Sequence, residues 1–257
     1  MFPFLRIGPI LLQLPGLALL AGVWVGSSLA DKEAARLKLK RAAVSNLIFY
    51  ALVAGIVGAR LGYAVRYLST YLANPLDLLA LTPATLLPWA GMVTGVAVAV
   101  LFGRRKRLPL RPTLDALAPG LAAFLVGSGM ANILSGDAFG SPTSVPWAIY
   151  LWDENRHPSQ IYETLAALLV FVVEWKQPLG RPGAGFNFLL VVALSAAARV
   201  FLEAFRGDSL IWPGGFRAAQ VIGLAVLAAS WRLMQAWNQP SLPGPRSGQG
   251  RQRAEAH

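Results

Sequence analysis

The stretch that decides the fold is AVSNLIFYALVAGIVGARLGYAV, residues 43–65, with one ionisable group, Arg60, in 23 positions. A helix needs about 20 mostly apolar residues to cross the hydrocarbon core of a bilayer. Six further stretches, roughly 9–30, 84–102, 114–134, 160–175, 185–205 and 217–237, have the same character. The fifth span in order, 160–175, is short, and the fourth, 114–134, carries several glycines. The chain therefore reads as an all-α polytopic membrane protein with about seven transmembrane helices.

Composition agrees. Of the 257 residues 55% are hydrophobic and 14% charged, whereas a water-soluble domain spreads charge over its whole surface. The formal net charge of +11 could suggest nucleic acid, but its distribution excludes that partner. Lys32, Arg36, Lys38, Lys40 and Arg41 follow the first span, and Arg104, Arg105, Lys106, Arg107 and Arg111 follow the third. Lys176 and Arg181 follow the fifth, and Arg232, Arg246, Arg251 and Arg253 end the chain, so sixteen of the 23 basic residues fall on one side. By the positive-inside rule the N-terminus is outside and the C-terminus cytoplasmic. No charged n-region with a small-residue cleavage site opens the chain, so the first span is expected to be retained.

Residues 1–237 read as one transmembrane domain and 238–257 as a disordered basic cytoplasmic tail rich in Pro, Gly, Gln and Arg. Trp147, Tyr150 and Trp152, in the outer loop 135–159, suit the headgroup level. There is no internal repeat, which counts against a transporter built from inverted halves. The chain contains no cysteine and two histidines, His157 and His257. That excludes a disulfide framework, a thiolate nucleophile and a cysteine metal site, and no metal site is expected.

Ionisable groups inside a membrane are costly, so each is a candidate for function. Arg60 lies late in the second span, Glu163 opens the fifth, Arg199 and Glu203 end the sixth, Arg206 follows, and Asp137 follows the fourth. All fall in the outer half or at the outer interface, and the inner halves hold almost none beyond Asp115. Arg199 and Glu203, four apart, share a helix face and can pair. The plain reading of that pair is structural. The sharper one makes Arg199 a ligand for a lipid phosphate, because a guanidinium fork matches phosphate oxygens. Gly58 and Gly62, spaced for close helix packing, bracket Arg60 and precede Tyr63. In Arg156-His157-Pro158-Ser159-Gln160-Ile161-Tyr162-Glu163, Pro158 suits a first helical turn, and His157 is either an interfacial residue or a base.

These segments, taken in order, resemble the prolipoprotein diacylglyceryl transferases of bacterial membranes. The likeness runs through Gly58–Tyr63, Gly91-Met92, Leu114–Pro119 and Asn132-Ile133-Leu134-Ser135-Gly136-Asp137-Ala138-Phe139-Gly140. It continues through Arg156–Glu163, Arg199-Val200-Phe201-Leu202-Glu203 with Arg206, and Gly214-Gly215 with Gln220. The octad from Arg156 to Glu163 is the most specific piece. The resemblance implies a multi-pass enzyme of the bacterial inner membrane that needs no cofactor. Such an enzyme moves the diacylglyceryl group of phosphatidylglycerol to the lipobox cysteine thiol of a prolipoprotein, so membrane lipids and a prolipoprotein signal peptide are its partners. The chain is expected to act as a monomer.

On this likeness Arg199, Glu203, His157, Glu163 and Asp137 are the catalytic candidates, with Glu203 fixing Arg199 and His157 or Glu163 as base. Arg60, Asn132, Gly140, Arg206 and Tyr63 are the lipid-binding candidates, Arg60 sharing the headgroup with Arg199, and Asn132, Ser135 and Asp137 shape the mouth. The chain departs from the family pattern in four places. Gly129 stands where the family has an arginine three residues before its asparagine, and Asp137 where it has glutamate. Met92-Val93-Thr94-Gly95 lacks the histidine of a Ser-Phe-His-Gly-Gly stretch, and a tyrosine near the first span has no counterpart. A thiol with a pKa near ~8.5 needs a base or positive field to ionise. The departures leave two other readings open, a lipid-binding relative without the reaction and a small transporter.

Overall fold

In the computed structural model, which describes residues 4–8, 10–74, 76–77, 85–177 and 183–237, each of the seven apolar segments is helical. The long helices are α1 (Leu14–Arg36), α2 (Arg41–Arg66), α4 (Pro88–Arg105), α5 (Leu110–Ser135), α6 (Ser159–Trp175), α7 (Phe186–Leu202) and α8 (Ala218–Trp237). A short α3 (Leu68–Ala73) follows α2, and a 3-10 turn, Glu203–Phe205, extends α7. Five of these, α1, α2, α5, α7 with its extension and α8, are long and apolar enough to cross a membrane. Of the other two, α4 closes on Arg104-Arg105 within 18 residues, and α6 has 17.

Two local expectations are corrected. Residues 10–13, read as the opening of the first span, instead form strand β2 (Ile10–Gln13) paired antiparallel with β1 (Phe4–Ile7). The helix starts at Leu14, with Pro15 in its first turn, where a proline gives up no hydrogen bond. It then runs on to Arg36, so Asp31, Lys32 and Glu33 are helical rather than loop. Glu33 pairs with Arg36 at 2.7 Å, and Ser45 of α2 donates to Asp31 at 2.6 Å. Second, the halves read as nearly free of ionisable groups bury Glu33 and Glu174 as well as Asp115. The Asp115 carboxylate caps α7 from a neighbouring helix, accepting the Gly185 and Phe188 N–H groups at 2.5 and 3.1 Å. Those are amides that an isolated helix end leaves unsatisfied. The tail 238–257 and Arg181 lie outside the described residues.

Packing follows membrane rules. The buried apolar residues are mostly alanine, while large side chains such as Trp24, Val65 and Leu169 face outward. Lipid supplies no hydrophobic drive between helices, so small residues that let backbones approach hold them together. A Cβ on Gly26 of α1 would lie 2.6 Å from the Gly120 carbonyl oxygen of α5, and one on Gly127 of α5 would lie 2.8 Å from Gly22 of α1. The glycines of the fourth segment thus serve the α1–α5 crossing. Gly58 and Gly62 serve α2–α4, against Thr94 and Ala90. Gly26→Ala is expected to cost about 1–3 kcal/mol, the usual penalty for overpacking. The check is thermal unfolding in detergent, and an unchanged midpoint would show that the crossing yields freely.

Between α5 and α6 the chain forms a hairpin, β3 (Ile149–Leu151) with β4 (Glu154–Arg156). Its turn places Trp152 and Asp153 at φ 55° and 61°, the two left-handed residues that a tight hairpin turn needs. Trp147, Tyr150 and Trp152 are exposed.

Candidate active site

Helices α5, α6 and α7 enclose a cavity of about 250 Å³. Its polar wall is Ser128, Asn132, Glu163, Ser195, Arg199 and Arg206, and its apolar wall includes Leu125, Ala166, Val170 and Leu202. Arg199 and Glu163 meet because α6 and α7 pack side by side, each with its charged residues near the end that carries the 136–158 and 203–217 segments.

Glu163 is the centre of the arrangement. Its Oε1 accepts from Arg199 Nη1 at 3.0 Å and from Arg206 Nη1 at 2.7 Å. Arg199 Nη2 lies 3.0 Å from Glu203 Oε2, which gives the i, i+4 pair expected from the sequence. Glu203 is 0% exposed. Arg199 faces it off the hydrogen-bond line, and neither Glu203 carboxylate oxygen accepts a hydrogen bond among the described residues. Arg206 also grips Asp208 with Nε, at 2.7 Å, and with Nη2. Burial works against the Arg206 charge, but its hydrogen bonds to Asp208 and Glu163 outweigh that and hold it above the ordinary arginine range.

Three chain segments meet around this centre. Gly140 bridges to Arg206 through the backbone, Ser141 N–H donates to the Phe205 carbonyl at 2.8 Å, and His157 N–H donates to the Ser141 carbonyl at 3.0 Å. The His157 ring packs edge-on against Phe205, 5.2 Å between centroids, with Tyr162 at 6.2 Å. Its Nδ1 is buried without a hydrogen-bond partner among the described residues. His157 is not part of the cavity wall.

Of the residues singled out in the sequence, the cavity brings together Arg199, Glu163, Arg206 and Asn132, with Glu203 behind Arg199. Others lie elsewhere. Arg60 donates to the Thr85 hydroxyl and carbonyl and to the Asp77 carbonyl, with its guanidinium 5.5 Å from the Tyr71 ring centre. Tyr63 stacks on Tyr67 at 4.6 Å in the same cluster of α2 and α3. Neither Arg60 nor Tyr63 lines the cavity. Asp137 is exposed, its N–H held by Ser135 Oγ at 3.1 Å.

Residues that the sequence reading passed over also contribute. Arg217 donates to the Glu203 and Arg206 carbonyls at 2.5 and 3.0 Å and to Ser209 Oγ at 2.8 Å, tying the start of α8 to the arginine-bearing segment. A basic residue at the mouth of the last span was the available signal. Ser195 lines the cavity with its hydroxyl buried and without a hydrogen-bond partner among the described residues; a lone serine in an apolar run gives no signal. Gly129 has a structural correlate. A Cβ there would overlap the Thr164 hydroxyl and lie 3.0 Å from Thr164 Cα, so a larger residue does not fit without separating α5 from α6.

Apolar helices joined by small-residue contacts, with guanidinium and carboxylate groups around a part-apolar cavity, define a helical membrane protein with a charged site between its helices. The prolipoprotein diacylglyceryl transferase family model matches residues 3–236, and the chain belongs to that family. Similar proteins named phosphatidylglycerol–prolipoprotein diacylglyceryl transferase occur in several bacteria. The one from Bordetella parapertussis is 32% identical over 231 residues, covering 86% of each chain. The one from Nostoc sp. is 28% identical over 239 residues, covering 87% of this chain and 84% of its own. The one from Synechococcus sp. is 28% identical over 265 residues, covering 93% and 95%.

Proposed function

We propose that this chain transfers the diacylglyceryl group of phosphatidylglycerol to the lipobox cysteine thiol of a prolipoprotein. The observation that carries the proposal is the Arg199–Glu163–Arg206 bridge at the polar end of a cavity whose other wall is apolar. The two guanidiniums suit a phosphate, and the apolar wall suits the glyceryl and acyl atoms below it. In the reaction the thiol loses its proton and sulfur attacks the glyceryl carbon attached to the phosphate. A C–S bond forms, the C–O bond breaks, and its electron pair leaves on glycerol phosphate. Fixed cations next to the departing phosphate lower the barrier to that charge movement. No metal or organic cofactor takes part.

In this reading Arg199 and Arg206 hold the phosphate, Asn132 binds beside them, and Glu203 fixes Arg199. The proton acceptor is Glu163 or His157. Ser135, Asp137 and Gly140 frame the entrance, and Arg60 and Tyr63 form a separate lipid contact on α2. All seven long helices cross a bacterial inner membrane, α4 and α6 as short spans, within one domain of residues 1–237. The N-terminus and the site face outward, and the basic tail 238–257 lies in the cytoplasm. The distribution of basic residues supports that orientation. The enzyme works as a monomer.

The test uses purified protein in detergent or liposomes with phosphatidylglycerol and a lipobox peptide. A thioether-linked diacylglyceryl peptide and released glycerol phosphate are expected. No product from a folded protein that still binds phosphatidylglycerol would instead favour a lipid-binding relative without the reaction, the reading that Gly129 and the missing histidine leave open.

A further inference from the structure

We infer that Glu163 is a built-in anion, occupying the position where a phosphate oxygen of the lipid headgroup docks, and that the headgroup must displace it before transfer. This rests on the donor assignment proposed above and adds a step to it.

Three observations lead there. The first is geometric. One oxygen, Glu163 Oε1, accepts from Nη1 of both Arg199 and Arg206. An oxygen shared by two guanidiniums is the contact that a phosphate makes with an arginine pair, and Glu163 makes it from the cavity wall. The second is charge. Around the two guanidiniums that line the cavity stand three carboxylates, Glu163, Glu203 and Asp208. Arg217 is committed to the backbone carbonyls of Glu203 and Arg206 and to Ser209. An incoming phosphate therefore finds no surplus cation unless one carboxylate leaves. Glu203 is enclosed on all sides. Asp208 is held by two other nitrogens of Arg206, Nε and Nη2, which do not face Glu163. Only Glu163 both lines the cavity and occupies the two Nη1 groups. The third is the Ser195 hydroxyl, which lines the same cavity, buried and without a hydrogen-bond partner among the described residues, as expected of a donor whose acceptor arrives with a ligand.

Displacement does more than clear the site. With both guanidiniums handed to phosphate, the Glu163 carboxylate oxygen that they held is free to accept a proton. It takes the thiol proton as the C–S bond forms and the C–O bond breaks, the electron pair going to the phosphate oxygen of the departing glycerol phosphate. Glu163 then passes the proton to that phosphate and re-forms the bridge. The product loses its two guanidinium contacts at the same moment, which drives its release. Glu163 is thus a catalytic residue that also competes with donor and product.

Binding and turnover should therefore move in opposite directions. Short-chain phosphatidylglycerol is titrated calorimetrically into detergent-solubilised wild type, Glu163→Gln and Arg199→Ala, and transfer is measured on the same preparations. Glu163→Gln is expected to bind at least about tenfold tighter, because the cost of vacating the site is removed, and to transfer at least about 100-fold more slowly, within the usual contribution of a general base. Arg199→Ala should not bind. Should Glu163→Gln fail to give folded protein, Glu163→Asp takes its place, since a side chain one methylene shorter cannot reach both arginines and should also bind tighter. Unchanged or weaker binding by the folded variant, with the wild type binding normally, overturns the inference and leaves the donor assignment standing. A folded wild type that neither binds nor transfers overturns the donor assignment and this inference with it.

Discussion

Transfer by Arg199→Ala is expected to fall about 10²–10³-fold, the usual loss when one fixed donor to a developing anion is removed. Arg199 touches two of the site's carboxylates from one guanidinium, Glu163 through Nη1 and the buried Glu203 through Nη2. Removing it also leaves Glu203, at 0% exposure, without the cation that faces it. Breaking a buried pair on one side costs about 3–5 kcal/mol, so lost activity in the single variant could reflect lost folding. The double variant Arg199→Ala/Glu203→Gln separates the two. Neutralising the buried acid should recover most of the thermal stability while transfer stays at the level of the single variant. Recovery of transfer along with stability would mean that Arg199 supports the fold and does not touch the phosphate. Arg199→Lys should also fall short of wild type, because one ammonium cannot span both carboxylates as the planar fork does.

The contrast between Arg199–Glu203 and Arg199–Glu163 shows what the sequence could and could not disclose. The first pair is four residues apart on one helix, so helical geometry alone predicts it. The second is 36 apart and Arg206–Glu163 is 43 apart. They exist only because α6 packs on α7, and nothing local to either segment announces that. The same reasoning explains Arg60. Its place in a glycine-flanked run marked it as costly to bury, and it is engaged, but by Thr85, Asp77 and Tyr71 near its own helix rather than by the Arg199 centre. The helices themselves were legible because a bilayer-length apolar run is a strong signal. The strand at residues 10–13 was not, since a few apolar residues before a proline fit a helix start or a hairpin equally well. Asp115 was visible as an isolated acid in an apolar segment. Its task of capping α7 required knowing that α5 and α7 are neighbours.

Gly140→Ala is the second large effect expected, about a 100-fold loss of transfer with the helices intact. Gly140 sits where three segments cross. A Cβ there would overlap the His157 carbonyl oxygen and lie 2.8 Å from the His157 carbonyl carbon, while a Cβ on Gly207 would lie 2.7 Å from the Gly140 oxygen. These obstacles are mostly backbone, so no side-chain rotation relieves them. Either the 136–142 segment lifts away or the chain at His157 is pushed back. Both movements reach the centre, because His157 leads directly into α6 and Glu163, and Gly140 is bridged to Arg206. The distance between Glu163 and Arg206 then changes although neither residue is altered. A displacement near 1 Å at a reacting centre can cost about 10²-fold in rate. The long helices hold together through Gly26–Gly120, Gly22–Gly127 and Gly58–Thr94, none of which is part of this crossing, so the helical circular dichroism should be unchanged. Transfer rate, far-ultraviolet spectrum and phosphatidylglycerol affinity, measured on one preparation, check the expectation. Wild-type transfer by Gly140→Ala would mean that the crossing is loose enough to admit a methyl group, and that the spacing of Glu163 and Arg206 is set by α6 and α7 alone.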